Sequence, residues 1–213
     1  MRKFQMPGLI AIALSLPFIG CDSDEEITVD VERYVAPLAS VNPDIAAVTG
    51  TATIEIIGDA MRVTVRATGL DSIMHMQFVG SGTSCPETTA DTNEDGFIDV
   101  QEGLAAYGPF LLALDADIEV RSDSVLTFPA TDSIAYIETA VYSAVENSMR
   151  GAPVTEFTTN IPITGDFIPQ GLAVGILGDA SPLPNSLIFL PGRTANETVP
   201  VACGVFNRTI SSN

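Results

Sequence analysis

Thr51-Ala52-Thr53-Ile54-Glu55-Ile56-Ile57-Gly58-Asp59-Ala60-Met61-Arg62-Val63-Thr64-Val65-Arg66-Ala67 reads as two strands and the turn that joins them. In the first run Ala52, Ile54 and Ile56 face one way while Thr51, Thr53 and Glu55 face the other. In the second, Met61, Val63, Val65 and Ala67 face inward and Arg62, Thr64 and Arg66 outward. Period two on both sides of Gly58-Asp59 is a β-hairpin with one buried face. Outward from it, further strands are expected at 29–35, 73–79, 125–128, 172–176, 187–190 and 199–206. One stretch breaks the pattern. Ile134, Ile137, Val141 and Val145 recur at helical spacing through an alanine-containing run that stops by Gly151, which predicts a helix. Many short strands with Gly and Pro turns predict a mainly β protein, a β-sandwich.

The sharpest chemical signal is Asp91-Thr92-Asn93-Glu94-Asp95-Gly96-Phe97-Ile98-Asp99-Val100-Gln101-Glu102. It fits the twelve-position calcium loop of EF-hand type at every defining place. Asp91, Asn93, Asp95 and Asp99 put oxygen donors at positions 1, 3, 5 and 9; Phe97 offers its backbone carbonyl at position 7, and Glu102 can close the site bidentately. Gly96 supplies the sharp turn at position 6, and Ile98 is placed to pack inward. The bland alternative is a solvated acidic loop. Four carboxylates in one loop repel each other, and a hard divalent cation removes that penalty. A wide carboxylate cage with a bidentate Glu favours Ca2+ over magnesium, which demands near-ideal octahedral geometry. The stretch before Asp91 contains glycines, a proline and no apolar helical period, so no entering helix is expected; a short one can follow over 100–107. No second loop of this kind occurs. The pattern therefore predicts a lone structural site and not a paired sensor.

The chain starts with Met1-Arg2-Lys3 and an apolar stretch from Gly8 to Phe18, ending at Phe18-Ile19-Gly20-Cys21. This reads as a secretory signal over 1–20, shorter than the about 20 apolar residues a spanning helix needs. It resembles the lipobox of bacterial lipoproteins, with Phe18 where that pattern usually has Leu, and implies Cys21 as the lipid-modified first residue of the mature chain. An ordinary secreted protein is the alternative. Residues 22–26 (Asp-Ser-Asp-Glu-Glu) then form a solvated tether, and the domain spans 27–213. These features place the protein in the bacterial cell envelope, lipid-anchored and facing the periplasm or exterior. Removing 1–20 takes Arg2 and Lys3, leaving 9 − 2 = 7 basic against 27 acidic residues, a charge of 7 − 27 = −20. No lysine remains. Such a surface repels nucleic acid and anionic headgroups and suits cation binding. The membrane is met through the N-terminal lipid, and an envelope protein or surface polymer is the partner expected.

If Cys21 carries lipid, Cys85 and Cys203 remain, in an oxidising compartment, and are expected to be bridged; two buried free thiols are the other reading.

Thr49-Gly50-Thr51-Ala52-Thr53, Ala67-Thr68-Gly69-Leu70, His75-Met76-Gln77-Phe78 and Val201-Ala202-Cys203-Gly204-Val205 together resemble the Cu/Zn superoxide dismutase-like sandwich and the related CHRD domain of bacterial secreted proteins. The resemblance implies a Greek-key-like β-sandwich in which Cys85 and Cys203 match the dismutases' cysteine pair, with the calcium loop as an insertion after the former ligand strand. The enzyme does not carry over, because copper and zinc need several histidines and this chain has one. The family's strand histidines fall on Met74 and Met76, or on His75 and Gln77, depending on register.

Two other functions follow from the residues. His75 with Met74 or Met76 could form a soft copper(I) site in a copper-handling or residual redox protein, although adjacent strand residues point to opposite faces. Abundant Asp and Glu also admit a carboxylate-dependent hydrolase, but no spacing singles out a pair. No Gly-x-Ser-x-Gly elbow occurs. The sequence favours a non-enzymatic, calcium-stabilised envelope domain with no catalytic residues.

Overall fold

The structure is a computed structural model that describes residues 30–119, 127–151 and 166–209. The leader 1–20, Cys21, the tether 22–26 and residues 125 and 126 of one expected strand lie outside the described residues. Among the described residues, no helix is long and apolar enough to cross a membrane.

The protein is mainly β, as its alternating runs predict, and its strands form one curled antiparallel sheet. Strands β1 (Val31–Ser40), β2 (Thr49–Ile57) and β3 (Ala60–Thr68) form a meander centred on the hairpin. Its register pairs Ala52 with Val65, Ile54 with Val63 and Ile56 with Met61, so the inward residues of both strands meet on the core side. Gly58 makes the turn at φ +59. The other half contains β4 (Met76–Gly80), β5 (Phe110–Ala113), β7 (Ala173–Leu177) and β8 (Pro200–Val205), in the order β5-β4-β7-β8. Pairing of Ala39 and Ser40 with Cys203 and Ala202 joins the halves. The short β9 (Asn207–Thr209) continues past β8 along β1.

Strand β6 (Ser133–Val141) occupies the edge beside β3, and here the expected helix is corrected. Nine consecutive residues of β6 pair with β3, from Ala60 with Val141 to Thr68 with Ser133. The helix starts only afterwards, as α2 (Tyr142–Gly151). Ile137 and Val141, whose spacing imitated a helical stripe, are each 46% exposed on the outer face of the edge strand. Val145 and Met149, four apart on α2, are the buried helical pair. Residues 187–190 are not a strand: only Leu187 is buried, and the segment is irregular. Thr127 and Phe128, the described part of 125–128, are likewise outside any strand.

Two apolar clusters result. The larger fills the inside of the curl with residues such as Ile54, Val63, Val65, Leu112, Ile176 and Phe206. The smaller lies on the other face of β4, β7 and β8, where Met76, Phe78, Leu177 and Cys203 are covered by Ile98, Val100, Tyr107 and Phe110. Because both faces are covered, β4 and β7 are buried at every position and show no alternation; β7 is an unbroken apolar run, and β4 is apolar but for Gln77. The stretch from 81 to 109, which carries the acidic loop, is therefore the lid of the second core.

Candidate metal centre

The chain reaches the acidic loop through a single 3-10 turn, Thr88–Ala90, and leaves it through α1 (Val100–Tyr107). Both agree with the expectation of no entering helix and a short exiting one. Asp99 starts α1 as its N-cap: its Oδ1 accepts the N–H groups of Gln101 (2.8 Å) and Glu102 (2.9 Å), while Glu102 Oε2 accepts Asp99 N–H (3.1 Å). This reciprocal pair satisfies donors that a helix start otherwise leaves unpaired.

The loop is bound to itself by its own carboxylates. Asp91 accepts N–H from Asp95 (3.2 Å) and Gly96 (2.9 Å). Asn93 Oδ1 accepts from Asp95 N–H at 2.9 Å, and Asp95 Oδ1 from Phe97 N–H at 3.0 Å. Glu102 reaches back across the loop, where Oε1 accepts Thr92 N–H at 2.8 Å, Thr92 O–H at 2.9 Å and Asn93 N–H at 3.2 Å. The last position is thereby held against the second and third. Burial pushes the Glu102 carboxyl up, but the N–H and O–H donors from Asp99, Thr92 and Asn93 outweigh it and hold it below its ordinary value. Gly96 has φ +89, and Glu94, alone among the described non-glycine residues, is also left-handed at φ 58.

Among the described residues, no three His, Cys, Asp or Glu side chains form a group that could hold a metal ion. The loop oxygens are directed at N–H groups and not at a common point. A carboxylate oxygen has two lone pairs, so accepting one N–H leaves capacity for a cation. Glu102 and Asp99 are the exceptions: Glu102 Oε1 already accepts three donors, some of which a bidentate cation contact would have to displace, while Oε2 accepts one. Asp99 is the more enclosed of the two. It is 1% exposed, and besides two N–H groups on Oδ1 it accepts Ile188 N–H on Oδ2 at 2.8 Å. Position 9 therefore suits contact with a cation through a water molecule, a common arrangement at that place in the loop.

Residues distant in sequence hold the loop to the sheet. The Asn42 side chain is 4% exposed and clamps both backbone groups of Ile98: Nδ2 donates to Ile98 O at 2.9 Å and Ile98 N–H donates to Oδ1 at 2.8 Å. Asn42 Nδ2 also donates to Pro200 O at 2.8 Å. Ile98 itself is buried, as its place in the loop predicts. Cys85 and Cys203 form a disulfide with a Cα–Cα distance of 5.6 Å, fastening the lid to β8. At the far end of α1, Gly82 donates N–H to Tyr107 O at 2.8 Å, so close that a Cβ on Gly82 would sit 2.0 Å from Ala106 O. Tyr107 donates its O–H to Val100 O at 2.6 Å and lies edge-on to Phe78, which stacks on Phe110 at a centroid distance of 3.6 Å. Aromatic pairs of this kind contribute roughly 0.5–1.5 kcal/mol each beyond their buried area.

The sequence singled out neither Asn42 nor Ser186, whose O–H donates to Asp95 Oδ2. Asn42 stands before Pro43 and reads as a turn residue, and Ser186 stands in the stretch expected to approach a strand.

His75 is fully buried just before β4. Its Nε2 lies 2.7 Å from Asp71 O and its Nδ1 3.3 Å from Leu177 O. Both ring nitrogens thus face backbone carbonyls, whereas a metal ligand needs a nitrogen lone pair that faces the ion. Met76 is buried against Phe78 and Cys203 in the second core.

No protein-family model matches the chain, and no curated protein matches it. A crystal structure of the clock protein EA4 is similar at 16% sequence identity, over 82% of this chain and 93% of that one, with a TM-score of 0.38. That likeness carries no argument.

Proposed function

We propose that the protein is a non-enzymatic, calcium-binding domain of the bacterial cell envelope, in which one EF-hand-type loop takes Ca2+ through Asp91, Asn93, Asp95, the Phe97 carbonyl and Glu102, with Asp99 acting through water. Calcium is structural in this reading. It neutralises a loop that forms the lid of the second core, so it stabilises the packing of Ile98, Val100 and Tyr107 on β4. The observation that carries the proposal is the closure of the loop by Glu102 on Thr92 and Asn93, which brings the last ligand position back to the start of the loop, beside the ligand at position 3, as an encircling cation site requires. The motif supplies the ligand types, and the N–H groups already placed on the carboxylates lower the cost of gathering them.

The remaining elements of the reading are a lipid on Cys21, an acidic tether, and a sandwich related to the superoxide dismutase-like and CHRD domains without the catalytic metals. The partner is an envelope protein or a surface polymer. His75, with both nitrogens on backbone carbonyls, is a structural residue in this account and not a copper ligand.

Calorimetric calcium titration of the soluble domain, with Asp91→Ala in parallel, tests the reading. One site lost in the variant, and a melting temperature raised by calcium in the wild type only, is the expected result. At calcium ten times the dissociation constant, mass action adds about 1.4 kcal/mol. No heat and no shift would reduce the loop to a solvated acidic turn.

A further inference from the structure

The carboxylates at positions 5 and 9 of the loop are both gripped by a segment about ninety residues further along the chain. Ser186 Oγ donates to Asp95 Oδ2, and Ile188 N–H donates to Asp99 Oδ2 at 2.8 Å. Between them Leu187 is buried in the main core, which fixes the segment at its centre. Ser186 is exposed, and Ile188 and Phe189 are each 50% exposed. Residues 186–188 thus form a strap that crosses the loop from outside and is anchored by one apolar side chain.

The strap performs a specific electrostatic task. Asp91, Asp95, Asp99 and Glu102 repel one another, and a neutral hydroxyl donor on Asp95 relieves that repulsion without occupying a place among the ligands. Asp95 Oδ1 is held by Phe97 N–H and Oδ2 by Ser186, so the side chain is fixed in one rotamer while each oxygen keeps a lone pair. A ligand already held in place loses less freedom when the cation arrives. The coupling runs both ways, since a cation that favours the held carboxylates must favour the strap by the same factor.

Resting on the calcium reading above, we propose that the metal site is built from two segments, the loop 91–102 and the strap 186–188, and that Ser186 is its positioning residue. Calcium in turn fixes the strap and its exposed Ile188-Phe189 tip.

The test uses the full-length protein, titrated with calcium chloride in the calorimeter as wild type, Ser186→Ala and Ser186→Thr, together with hydrogen exchange at the Ile188 amide. Loss of an outer hydrogen-bond partner weakens metal binding by about tenfold or more, and that is the shift expected for Ser186→Ala. Ser186→Thr keeps the hydroxyl and keeps the affinity. Without calcium the melting temperature should fall only slightly in Ser186→Ala and hold in Ser186→Thr, because the hydroxyl is exposed. In the wild type the Ile188 amide should exchange about elevenfold more slowly at calcium ten times the dissociation constant, if opening of the strap requires release of the ion. Wild-type binding with Ser186→Ala within twofold of it, or an Ile188 amide indifferent to calcium, overturns the two-segment site and leaves the loop's calcium binding standing. A wild type that takes up no calcium removes both.

Discussion

Replacing Asn42 by alanine should weaken the fold far more than the loss of a loop side chain ordinarily does. The carboxamide is the sole partner described for Ile98 N–H and Ile98 O and also serves Pro200 O, at 2.8, 2.9 and 2.8 Å. Ile98 is 2% exposed and Pro200 is buried, so water does not reach these groups in the folded state. A buried polar group left without a partner costs about 1–3 kcal/mol. Two such groups at Ile98, with one of the donors to Pro200 O lost as well, put the loss at about 2–5 kcal/mol. In a domain of this size each kcal/mol lowers the melting temperature by roughly 2–4 °C. A fall on the order of 10 °C follows, with a matching drop in the urea midpoint and an unchanged urea slope, since the surface exposed on unfolding stays the same. Asn42→Asp should do no better at neutral pH, because its carboxylate would face two carbonyl oxygens. Urea unfolding monitored by tyrosine fluorescence measures all three proteins under identical conditions. A loss below about 1 kcal/mol in Asn42→Ala would refute the reasoning, since it would mean that the lid is held down by packing and the disulfide alone.

Gln77 is 1% exposed, and neither amide atom meets a hydrogen-bond partner among the described residues; Gln77→Met, of similar volume, should therefore raise stability by about 1 kcal/mol, and a lower melting temperature would show that the amide has a use. Reduction of the bridge between Cys85 and Cys203, which are 118 residues apart, should remove about 5 kcal/mol in the chain-entropy account; a urea midpoint unmoved by reductant would contradict it. Asp115 is buried, and desolvation raises its carboxyl above the ordinary range against the N–H donors of Asp117 and Thr127. Its contribution is fully present below the unfolded value of about 3.9 and is lost as pH rises through the raised folded value. Asp115→Asn should accordingly gain on the wild type as pH climbs from 3.5 and level off once the wild-type carboxyl has ionised, whereas a stability difference constant from pH 3.5 to 8 would rule this out.

How legible each part was depended on how many faces it buries. The hairpin was read from alternation because β2 and β3 bury one face, and the structure extends both strands by a residue or two. The helix over 100–107 was placed from the loop pattern, and Asp99 with Glu102 three residues later is also the signature of a capping box. The bridged cysteines were reached by elimination and by resemblance. β5 was missed because Phe110-Leu111-Leu112-Ala113 is four residues long and apolar on both faces, leaving no period to read. β6 was misread as helix because an edge strand tolerated Ile137 and Val141 on its open face, and tertiary pairing with β3 overrode the spacing. Of the candidate site, the loop oxygens were legible, since their spacing is local. Asn42 and Ser186 were not, because their roles arise from contacts 56 and 91 residues away in sequence.

β1 meets the described start of the chain at Val31 and, just past its other end, grips the acidic loop through Asn42. A pulling force applied between those two points would run along the strand. The hydrogen bonds that join β1 to β2 lie across that direction over nine residue pairs, so they would share the load in shear instead of opening one after another. The disulfide gives the loop a second attachment, to β8, which pairs with β1 on its opposite side. A load between Val31 and the acidic loop would thus fall on the whole β1–β2 ladder at once, which is the behaviour of a tensile link.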